Sequence, residues 1–361
     1  MENVGIEALR KTYNGKKVFL TGHTGFKGSW LTLILHELGA KVKGYSLAPK
    51  RDNDLYNLIN GDQLCDSVIA DIRNKERLQL EINEFQPDFI FHMAAQALVL
   101  DSYEMPAETY ETNVLGTIYV LDAIRQLEKP CKAIIITTDK VYENMERIEP
   151  YEEHERLGGY DPYSNSKACA ELATSSYRLS FFHPQNYIKH YKSIATVRSG
   201  NVIGGGDWSE NRIIPDLAKS LSRNETLILR NPNAVRPWQH VLDPLNGYLT
   251  LGVKMNEDPV QYADAFNFGP EDEDTLTVEQ LVQTAIKSWG SGEYEVIPNA
   301  AQPHEAKLLR LAIGKSKALL GWKPSMHSEA AIHLTIDWYK HYQKDPKGYT
   351  LLQIQNFFAQ L

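Results

Sequence analysis

Cysteine is scarce in this sequence, with three residues among 361. Cys65, Cys131 and Cys169 are odd in number and show no CxxC spacing, which argues against a disulfide scaffold and against common zinc motifs. The histidines are scattered along the chain, so no metal ion is predicted. The cysteines are expected to be reduced and mostly packed thiols, as in a cytoplasmic protein.

Long apolar runs and excess positive charge are also missing. No stretch approaches a membrane span, and residues 1–13 contain no apolar signal core, so no membrane partner is expected. The formal net charge of −8 argues against a general nucleic-acid binder but allows a local basic pocket for a phosphorylated small molecule. Because 361 residues exceed one typical core, two lobes are expected.

A glycine-spaced turn, Thr21-Gly22-His23-Thr24-Gly25-Phe26-Lys27-Gly28, is present near the amino end. It follows a short buried-strand pattern at residues 17–20 and precedes a helical apolar pattern, which is the context of a dinucleotide-binding turn. Gly22 permits the tight turn, Gly25 lets the backbone approach a pyrophosphate, and Gly28 lets helix and strand pack closely. The amino terminus of the helix offers free N–H groups to the phosphates. The flanking elements disfavour the alternative of an ordinary glycine-containing loop.

The end of the second predicted strand leaves the choice between NAD and NADP open. An acid that binds the adenosine ribose is expected there, but Leu47 follows, and then Lys50 and Arg51. The basic pair either meets a 2′-phosphate or lies in a solvated loop. Asp71 and Ile72 are candidates to flank the adenine.

Strand and helix patterns alternate through the first half of the chain, which predicts a doubly wound parallel α/β sheet with helices on both faces. Ala94 and Ala95 close the fourth strand, where small side chains suit close approach by a ligand. We expect a dinucleotide-binding domain at 1–200, completed by about 241–269, and a smaller, interleaved substrate-binding lobe. The predicted strands cover 17–21, 42–46, 67–70, 88–93, 132–138, 193–199 and 262–268, the long helices about 107–127 and 161–182, and the lobe 201–240 and 270–361.

Tyr163 and Lys167 lie four residues apart and therefore share one face of a predicted helix. An ammonium and a positive nicotinamide near the phenol favour its phenolate and lower its pKa, so Tyr163 is predicted to take the proton of a substrate hydroxyl. Lys167 is expected to hold the nicotinamide ribose as well. Taken alone, the pair reads as an exposed helix face; its place on the helix after the fifth strand favours catalysis.

These motifs together resemble the extended short-chain dehydrogenase/reductase family over nearly the whole chain. Asn113, the segment Arg236-Pro237-Trp238-Gln239-His240 and the segment Asn267-Phe268-Gly269-Pro270 match further motifs of that family. The resemblance implies a Rossmann-like fold, NAD as cofactor and a homodimer formed through the two long helices. The predicted cofactor-binding residues are Gly22, Thr24, Gly25, Phe26, Lys27, Gly28, Asp71, Ile72, Ala94, Ala95, Asn113, Tyr163 and Lys167.

Within the family, Thr138-Asp139-Lys140 at the end of the fifth strand resembles the nucleotide-sugar 4,6-dehydratases. The segments 138–144, 198–208 and 236–241, with His304-Glu305-Ala306 and 320–324, resemble the dehydratases of CDP-glucose, enzymes of deoxysugar and O-antigen biosynthesis. Asp139 is predicted to protonate the leaving C6 hydroxyl. Lys140 is the predicted base for the C5 proton, although the dehydratases of dTDP-glucose carry a glutamate there. As a base Lys140 must be neutral, which burial and Lys167 are expected to favour.

The predicted substrate-binding residues offer flat donors or rings to a nucleotide diphosphate: Asn201, Trp208, Arg212, Arg236 and His240. Stacking of Trp208 on a pyrimidine and packing in the core are equally open readings. Other functions remain as alternatives, namely another nucleotide-sugar 4,6-dehydratase, a 4-epimerase, or a dinucleotide-sensing protein without catalysis. An epimerase needs no acid for C6, which Asp139 disfavours, and the presence of Tyr163, Lys167 and Thr138 disfavours loss of catalysis.

Overall fold

The computed structural model describes residues 3–297 and 308–361. The predicted resemblance at His304-Glu305-Ala306 lies outside these residues. The strands within them are β1 Lys17–Thr21, β2 Lys41–Ser46, β3 Asp66–Ile69, β4 Phe89–His92, β5 Cys131–Ile136, β6 Lys192–Ser199, β7 Asn201–Ile203, β8 Leu227–Leu229, β9 Val235–Arg236, β10 Trp238–His240, β11 Ala265–Phe268, β12 Leu276–Thr277 and β13 Tyr294–Val296.

Helices cover both faces of the sheet and much of the second half of the chain. They are α1 Ile6–Tyr13, α2 Phe26–Glu37, α3 Leu55–Leu58, α4 Lys75–Phe85, α5 Val99–Glu104, α6 Pro106–Tyr110, α7 Gly116–Gln126, α8 Pro162–Ser180, α9 Tyr187–His190, α10 Ile213–Arg223, α11 Leu242–Glu257, α12 Val278–Trp289, α13 Ser328–His341 and α14 Pro346–Ala359. A π-helical turn, Glu111–Leu115, joins α6 to α7, so the predicted helix at 107–127 is one nearly continuous unit.

The central sheet has the order β11-β6-β5-β4-β1-β2-β3. All of its neighbouring strands pair in parallel. The prediction of a doubly wound parallel sheet is therefore confirmed, and the seven predicted strands agree with the observed ones to within a few residues. The order reverses between β1 and β4, and ligands of such sheets bind at the carboxyl ends of the strands beside this reversal.

Alternating side chains of the strands supply the two cores. Val18 and Leu20 of β1 pack with Trp30 of α2 and with residues of α11 on one face. Phe19 of β1 and Ile90 of β4 pack against α4 and α7 on the other face. Because both faces are covered, the strands read as almost continuous apolar runs.

Short two-stranded sheets, β10-β7, β12-β9 and β13-β8, lie outside the central sheet in the second half of the chain. The expected division into a domain at 1–200 with 241–269 and an interleaved lobe stays a prediction.

In the described part of the chain no helix combines the length and apolarity that crossing a membrane requires. The cytoplasmic location likewise stays a prediction.

Candidate active site

The glycine turn connects β1 to α2 through backbone geometry that a side chain would prevent. Gly22 has a φ of +77°, and a Cβ there would lie 2.8 Å from the backbone nitrogen of Ala94. A Cβ on Gly28 would lie 2.0 Å from the carbonyl oxygen of Gly22, so only glycine allows α2 to begin this close to the turn. These positions agree with the roles that the sequence predicted for them.

The amino end of α2 suits a bound pyrophosphate. Gly25 is its N-cap, the cap has no side-chain hydrogen bond, and a Cβ on Gly25 would meet only the oxygen of Gly22 at 3.4 Å. No side chain therefore caps the amides at this end of the helix, and they are available to an anion. Thr24 anchors the turn to the end of β2, because its hydroxyl donates to the carbonyl of Leu47 at 2.8 Å.

A deep cleft opens beside the carboxyl ends of the strands and encloses about 2080 Å³ of space that is continuous with solvent. A cavity of about 430 Å³ lies within this cleft, which is in the range of about 300–1,000 Å³ that is typical of ligand pockets. Of the residues that the sequence predicted, it is lined by Phe26, Lys27, Thr138, Asp139, Lys140, Tyr163, Asn201, Arg212 and Arg236.

Tyr163 and Lys167 lie in the first turns of α8, as predicted. Asp161 is the N-cap of this helix and accepts hydrogen bonds from the backbone nitrogen of Ser164 at 2.9 Å and from its hydroxyl at 2.6 Å. Pro162 occupies the first helical position, where its fixed φ favours helix entry. Behind the cleft, the buried Lys167 Nζ donates to the carbonyl of Ile136 at the end of β5, at 3.1 Å.

The predicted lowering of the Tyr163 pKa depends on a bound nicotinamide and stays a prediction. Burial raises the pKa of Tyr163 to about 12; a hydrogen bond from Thr138 lowers it in part, and Asp139 raises it. Burial also lowers the pKa of Lys167 to about 8, against the opposing effect of Glu171. The positive charge of a bound, oxidised nicotinamide would oppose the effect of burial and favour the phenolate.

A short 3₁₀ turn, Asp139–Val141, follows β5. It contains Asp139 and Lys140, and Thr138 directly precedes it. The Thr138 hydroxyl donates to Asp139 Oδ1 at 2.9 Å and accepts weakly from the Lys140 backbone nitrogen at 3.4 Å. Lys140 Nζ lies 3.8 Å from Asp139 Oδ1. This ion pair lies inside the cleft rather than on a solvated loop.

A buried ion pair ties α8 to the strands that carry the site. Arg198 of β6 and Glu171 of α8 approach to 2.9 Å, and each side chain is 4% exposed. Glu171 also accepts hydrogen bonds from Thr137 at 2.6 Å and from Thr196 at 2.7 Å. Since every charged atom of this pair has a partner, the network holds Lys167 and the Thr138 turn in fixed relative positions.

Lys27 extends from the glycine turn into the same cleft. Its Nζ lies 3.5 Å from the hydroxyl of Ser199 at the end of β6, a long hydrogen bond. Burial, followed by the charges of Lys167 and Arg212, lowers the pKa of Lys27 to about 7, although Asp139 acts in the opposite direction. Lys27 therefore reaches the end of β6 within the cleft, and its predicted contact with the cofactor stays a prediction.

Asn113 is fully buried in the π-helical turn between α6 and α7. Its amide donates to the carbonyl of Gln96 at 3.0 Å and to the hydroxyl of Ser166 at 2.8 Å. It thus connects the segment after β4 with α8, and π-helical turns are frequent at functional sites.

Asp71 is paired with Arg73 at 2.6 Å just beyond β3. The predicted cofactor contacts of Asp71, Ile72, Ala94 and Ala95 stay predictions.

The basic substrate candidates reach the cleft from the second half of the chain. Arg212 donates to Asp207 at 3.0 Å and stays about one third exposed, so part of its guanidinium is open to a ligand. Arg236 donates to the carbonyl of Val235 at 3.1 Å. Together with Asn201 they line the cleft and offer planar donors to it.

Two predicted substrate contacts need correction, because Trp208 and His240 belong to the core. The Trp208 ring packs edge-on against Tyr339, with ring centroids 5.1 Å apart. The buried His240 packs edge-on against Trp30 at 5.8 Å, and burial lowers its pKa to about 3. Their apolar surroundings separate both rings from the cleft lining.

The sequence analysis did not identify several residues that line the cleft, because their position in the lining depends on tertiary packing. The loop and first turn at 98–101 enter after β4, Ser199 ends β6, and Arg230 follows β8. Arg230 carried one available signal, because it is a cation directly after a short apolar strand. The others are ordinary residue types without a distinguishing spacing.

Comparisons with known proteins agree with this architecture. Residues 19–335 match the family described as GDP-mannose 4,6 dehydratase. A CDP-glucose 4,6-dehydratase of Salmonella typhimurium is 46% identical over 328 residues, 91% of each chain. A dTDP-glucose 4,6-dehydratase of Xanthomonas campestris is 24% identical, over 89% of this chain and 92% of that protein.

Solved structures share the fold at low sequence identity. A dTDP-glucose 4,6-dehydratase from Bacillus anthracis in complex with NAD has a TM-score of 0.75 at 22% identity, covering 91% of this chain and 98% of that one. A UDP-glucose 4-epimerase from Thermus thermophilus in complex with NAD has a TM-score of 0.75 at 24% identity, covering 90% and 99%. With the matched range covering most of the sequence, the chain belongs to the GDP-mannose 4,6 dehydratase family.

Proposed function

We propose that this protein is an NAD-dependent CDP-glucose 4,6-dehydratase, which converts CDP-glucose to CDP-4-keto-6-deoxyglucose. The observation that carries the proposal is a single cleft lined by both Tyr163 and Asp139. An oxidation at C4 needs the first residue, and loss of the C6 hydroxyl needs the second. The choice of CDP-glucose rests on the 46% identity to the Salmonella enzyme over 91% of both chains.

The residues present fit NAD. The glycine turn and the uncapped amides of α2 would hold the pyrophosphate, and Lys167 would hold the nicotinamide ribose. When bound, NAD accepts a hydride from the sugar and later returns it, so the reaction has no net redox change. Arg51 lies 3.2 Å from Glu210 and 3.9 Å from Asp54, so the guanidinium that a 2′-phosphate requires is already engaged by carboxylates, which favours NAD over NADP.

Three side chains, Tyr163, Lys140 and Asp139, are proposed to carry out the proton transfers. Tyr163, as the phenolate, takes the proton of the C4 hydroxyl. The resulting ketone makes the C5 proton acidic, and Lys140 is the proposed base for it. Asp139 delivers a proton to the departing C6 oxygen, which leaves as water. Arg212, Arg236 and Asn201 are proposed to bind the nucleotide diphosphate.

The substrate test uses CDP-, dTDP-, UDP- and GDP-glucose in separate incubations with the purified protein and catalytic amounts of NAD. We expect CDP-glucose to be converted fully to a 4-keto-6-deoxy sugar, identified by NMR, with no lasting rise in reduced-nicotinamide absorbance. Stoichiometric accumulation of NADH would indicate a simple dehydrogenase. Conversion to a 4-epimer without loss of water would support an epimerase, which does not need Asp139 as an acid for the C6 hydroxyl.

We also propose that two copies of the chain pair through α7 and α8, as the family resemblance implies. Leu172 and Leu179 are seven residues apart on one face of α8 and are 58% and 60% exposed, and Leu115 next to α7 is 40% exposed. Leucines this exposed on adjacent helices form an apolar face that a second copy would cover.

Leu172→Asp is expected to convert the homodimer to a monomer, because the substitution places a charge in the proposed apolar interface. The measurement is the mass in solution by analytical ultracentrifugation across a dilution series. Leu352→Asp is the matched control, since Leu352 is 46% exposed on α14, a helix that packs on α13 and α2. A wild-type protein that is monomeric at all concentrations, or a dimer that tolerates Leu172→Asp, contradicts this surface.

A further inference from the structure

The cleft extends from the catalytic side chains along helix α10. Arg212 is the N-cap of α10, and its positive charge acts on both Tyr163 and Lys27, which places it near the catalytic end. Asp216 lines the same cleft four residues later, about 6 Å further along the helix axis. A nucleotide sugar has its diphosphate between the sugar and the base. With the sugar beside Tyr163 and the diphosphate beside Arg212, the base would lie near Asp216.

This part of the cleft combines an apolar wall with two opposite charges. Side chains of α10, β8 and α12 supply the wall, among them Pro215, Ile228 and Val278. The charges are the carboxyl group of Asp216 on α10 and the guanidinium of Arg230, which directly follows β8. Ligand pockets typically pair apolar walls with a few placed polar groups. A flat heteroaromatic ring matches this arrangement, because it has apolar faces and a polar edge.

The alternation of β8 accounts for the position of Arg230. Leu227 and Leu229 are 5% and 1% exposed and pack in the core, whereas Ile228 between them is 44% exposed. Because successive side chains of a strand point to opposite faces, Arg230 continues the face of Ile228. The guanidinium therefore stands beside an apolar side chain of the cleft wall.

Asp216 and Arg230 are both available to a ligand. Within residues 3–297 and 308–361, neither side chain forms an ion pair or a side-chain hydrogen bond. By contrast, Arg212 is paired with Asp207 at 3.0 Å. Burial raises the pKa of Asp216, and Lys219 and Arg230 act in the opposite direction. A carboxylate that has lost solvent without gaining a donor is stabilised when a ligand supplies an N–H group.

We propose that Asp216 and Arg230 recognise the cytosine edge of the substrate: Asp216 accepts a hydrogen bond from the exocyclic amino group, and Arg230 donates to the ring acceptors N3 and O2. Carboxylates accept from the amino group of cytosine, and the planar fork of arginine can donate to two acceptors at once. This inference rests on the proposed CDP-glucose 4,6-dehydratase function and gives its choice of base a physical cause.

The same pair of side chains disfavours the other pyrimidines. Uracil and thymine carry an acceptor, O4, where cytosine has its amino group, and a donor, N3–H, where cytosine has an acceptor. In the orientation that cytosine adopts, O4 would face the carboxylate of Asp216 and N3–H would face the donors of Arg230. Both contacts are repulsive, so the site selects cytosine by rejecting its competitors as well as by binding it.

The test measures the affinities of CDP and UDP for the NAD-loaded protein by calorimetry, because these two nucleotides differ only at the edge of the base. We expect the wild type to bind CDP about 10–100-fold more tightly than UDP, as for base contacts of this kind. In Asp216→Asn this ratio should fall to near one, since an amide can accept from the amino group of cytosine or donate to O4 of uracil.

Glu225→Gln is the matched control, because it removes one exposed carboxylate just beyond the end of α10 that does not line the cleft. It should keep the wild-type ratio of affinities.

Arg230→Met separates recognition of the base from simple attraction of the diphosphate. If Arg230 reads the base, the variant should lose affinity for CDP by about tenfold or more and change little in its affinity for UDP. Equal losses for both nucleotides would assign Arg230 to the diphosphate and overturn its role in base recognition.

Two further results overturn the proposal: equal binding of CDP and UDP by the wild type, or an unchanged ratio of affinities in Asp216→Asn. Failure of the proposed function looks different, because nucleotide binding requires no turnover. It would appear as a wild-type protein that does not convert CDP-glucose, whatever the ratio of its affinities for CDP and UDP.

Discussion

Asp139→Asn should stop the reaction after oxidation and before loss of water. Asparagine keeps the shape and much of the hydrogen bonding of Asp139, but it has no readily transferred proton for the C6 oxygen. Oxidation by Tyr163 should survive, so the variant should hold a 4-ketoglucose intermediate with reduced nicotinamide. Dehydrated product should form on the order of 10²–10⁴-fold more slowly than in the wild type. Rapid mixing with CDP-glucose, followed by absorbance and mass, measures both steps.

Lys140→Met is the companion variant that separates the acid from the base. Deuterium uptake from solvent at C5 should persist in Asp139→Asn and fail in Lys140→Met if Lys140 is the base. Normal exchange in Lys140→Met would assign the base to another group, and the cleft-lining amine of Lys27, with a pKa lowered to about 7, is the next candidate. An Asp139→Asn variant that cannot reduce the cofactor would move Asp139 to binding or oxidation.

Tyr163→Phe should lose the oxidation itself. Removal of the phenol leaves the cleft intact, so nucleotide-sugar binding, measured by calorimetry, should stay near the wild-type value. Formation of reduced nicotinamide should slow by about 10²–10⁴-fold because the proton acceptor is gone. Burial raises the pKa of Tyr163 to about 12 in the protein alone, and the charge of the bound cofactor lowers this pKa. In the wild type the oxidation rate should therefore increase with pH and level off above the pKa that Tyr163 has in the cofactor complex.

Tyr110→Phe is the matched control for this variant. Its hydroxyl also contacts α8, donating to the side chain of Asn165 at 2.9 Å, but Tyr110 is not among the residues that line the cleft. Near-normal oxidation is expected from Tyr110→Phe. Near-normal turnover by Tyr163→Phe would show that Tyr163 is not the base.

The pKa expectations show where sequence reasoning stopped. The four-residue spacing placed Tyr163 and Lys167 on one helix face correctly, because helix periodicity is local. Their pKa values depend on burial, which is a property of the whole fold, and burial opposes the lowering expected for Tyr163. The sequence likewise did not predict the lowered pKa of Lys27. This pKa is lowered by burial and then by the charges of Lys167 and Arg212, which are far away in the chain.

The sequence by itself determined the parts of this protein that local rules govern. Alternating strand and helix patterns determined the parallel sheet. The glycine spacing determined the turn between β1 and α2. Tertiary structure alone decided which residues of the second half face the cleft. It placed Arg212 and Arg236 in the cleft lining and packed Trp208 and His240 into the core. Residue type cannot separate these outcomes, because an aromatic ring stabilises a core as readily as it stacks on a base, and only packing selects between them.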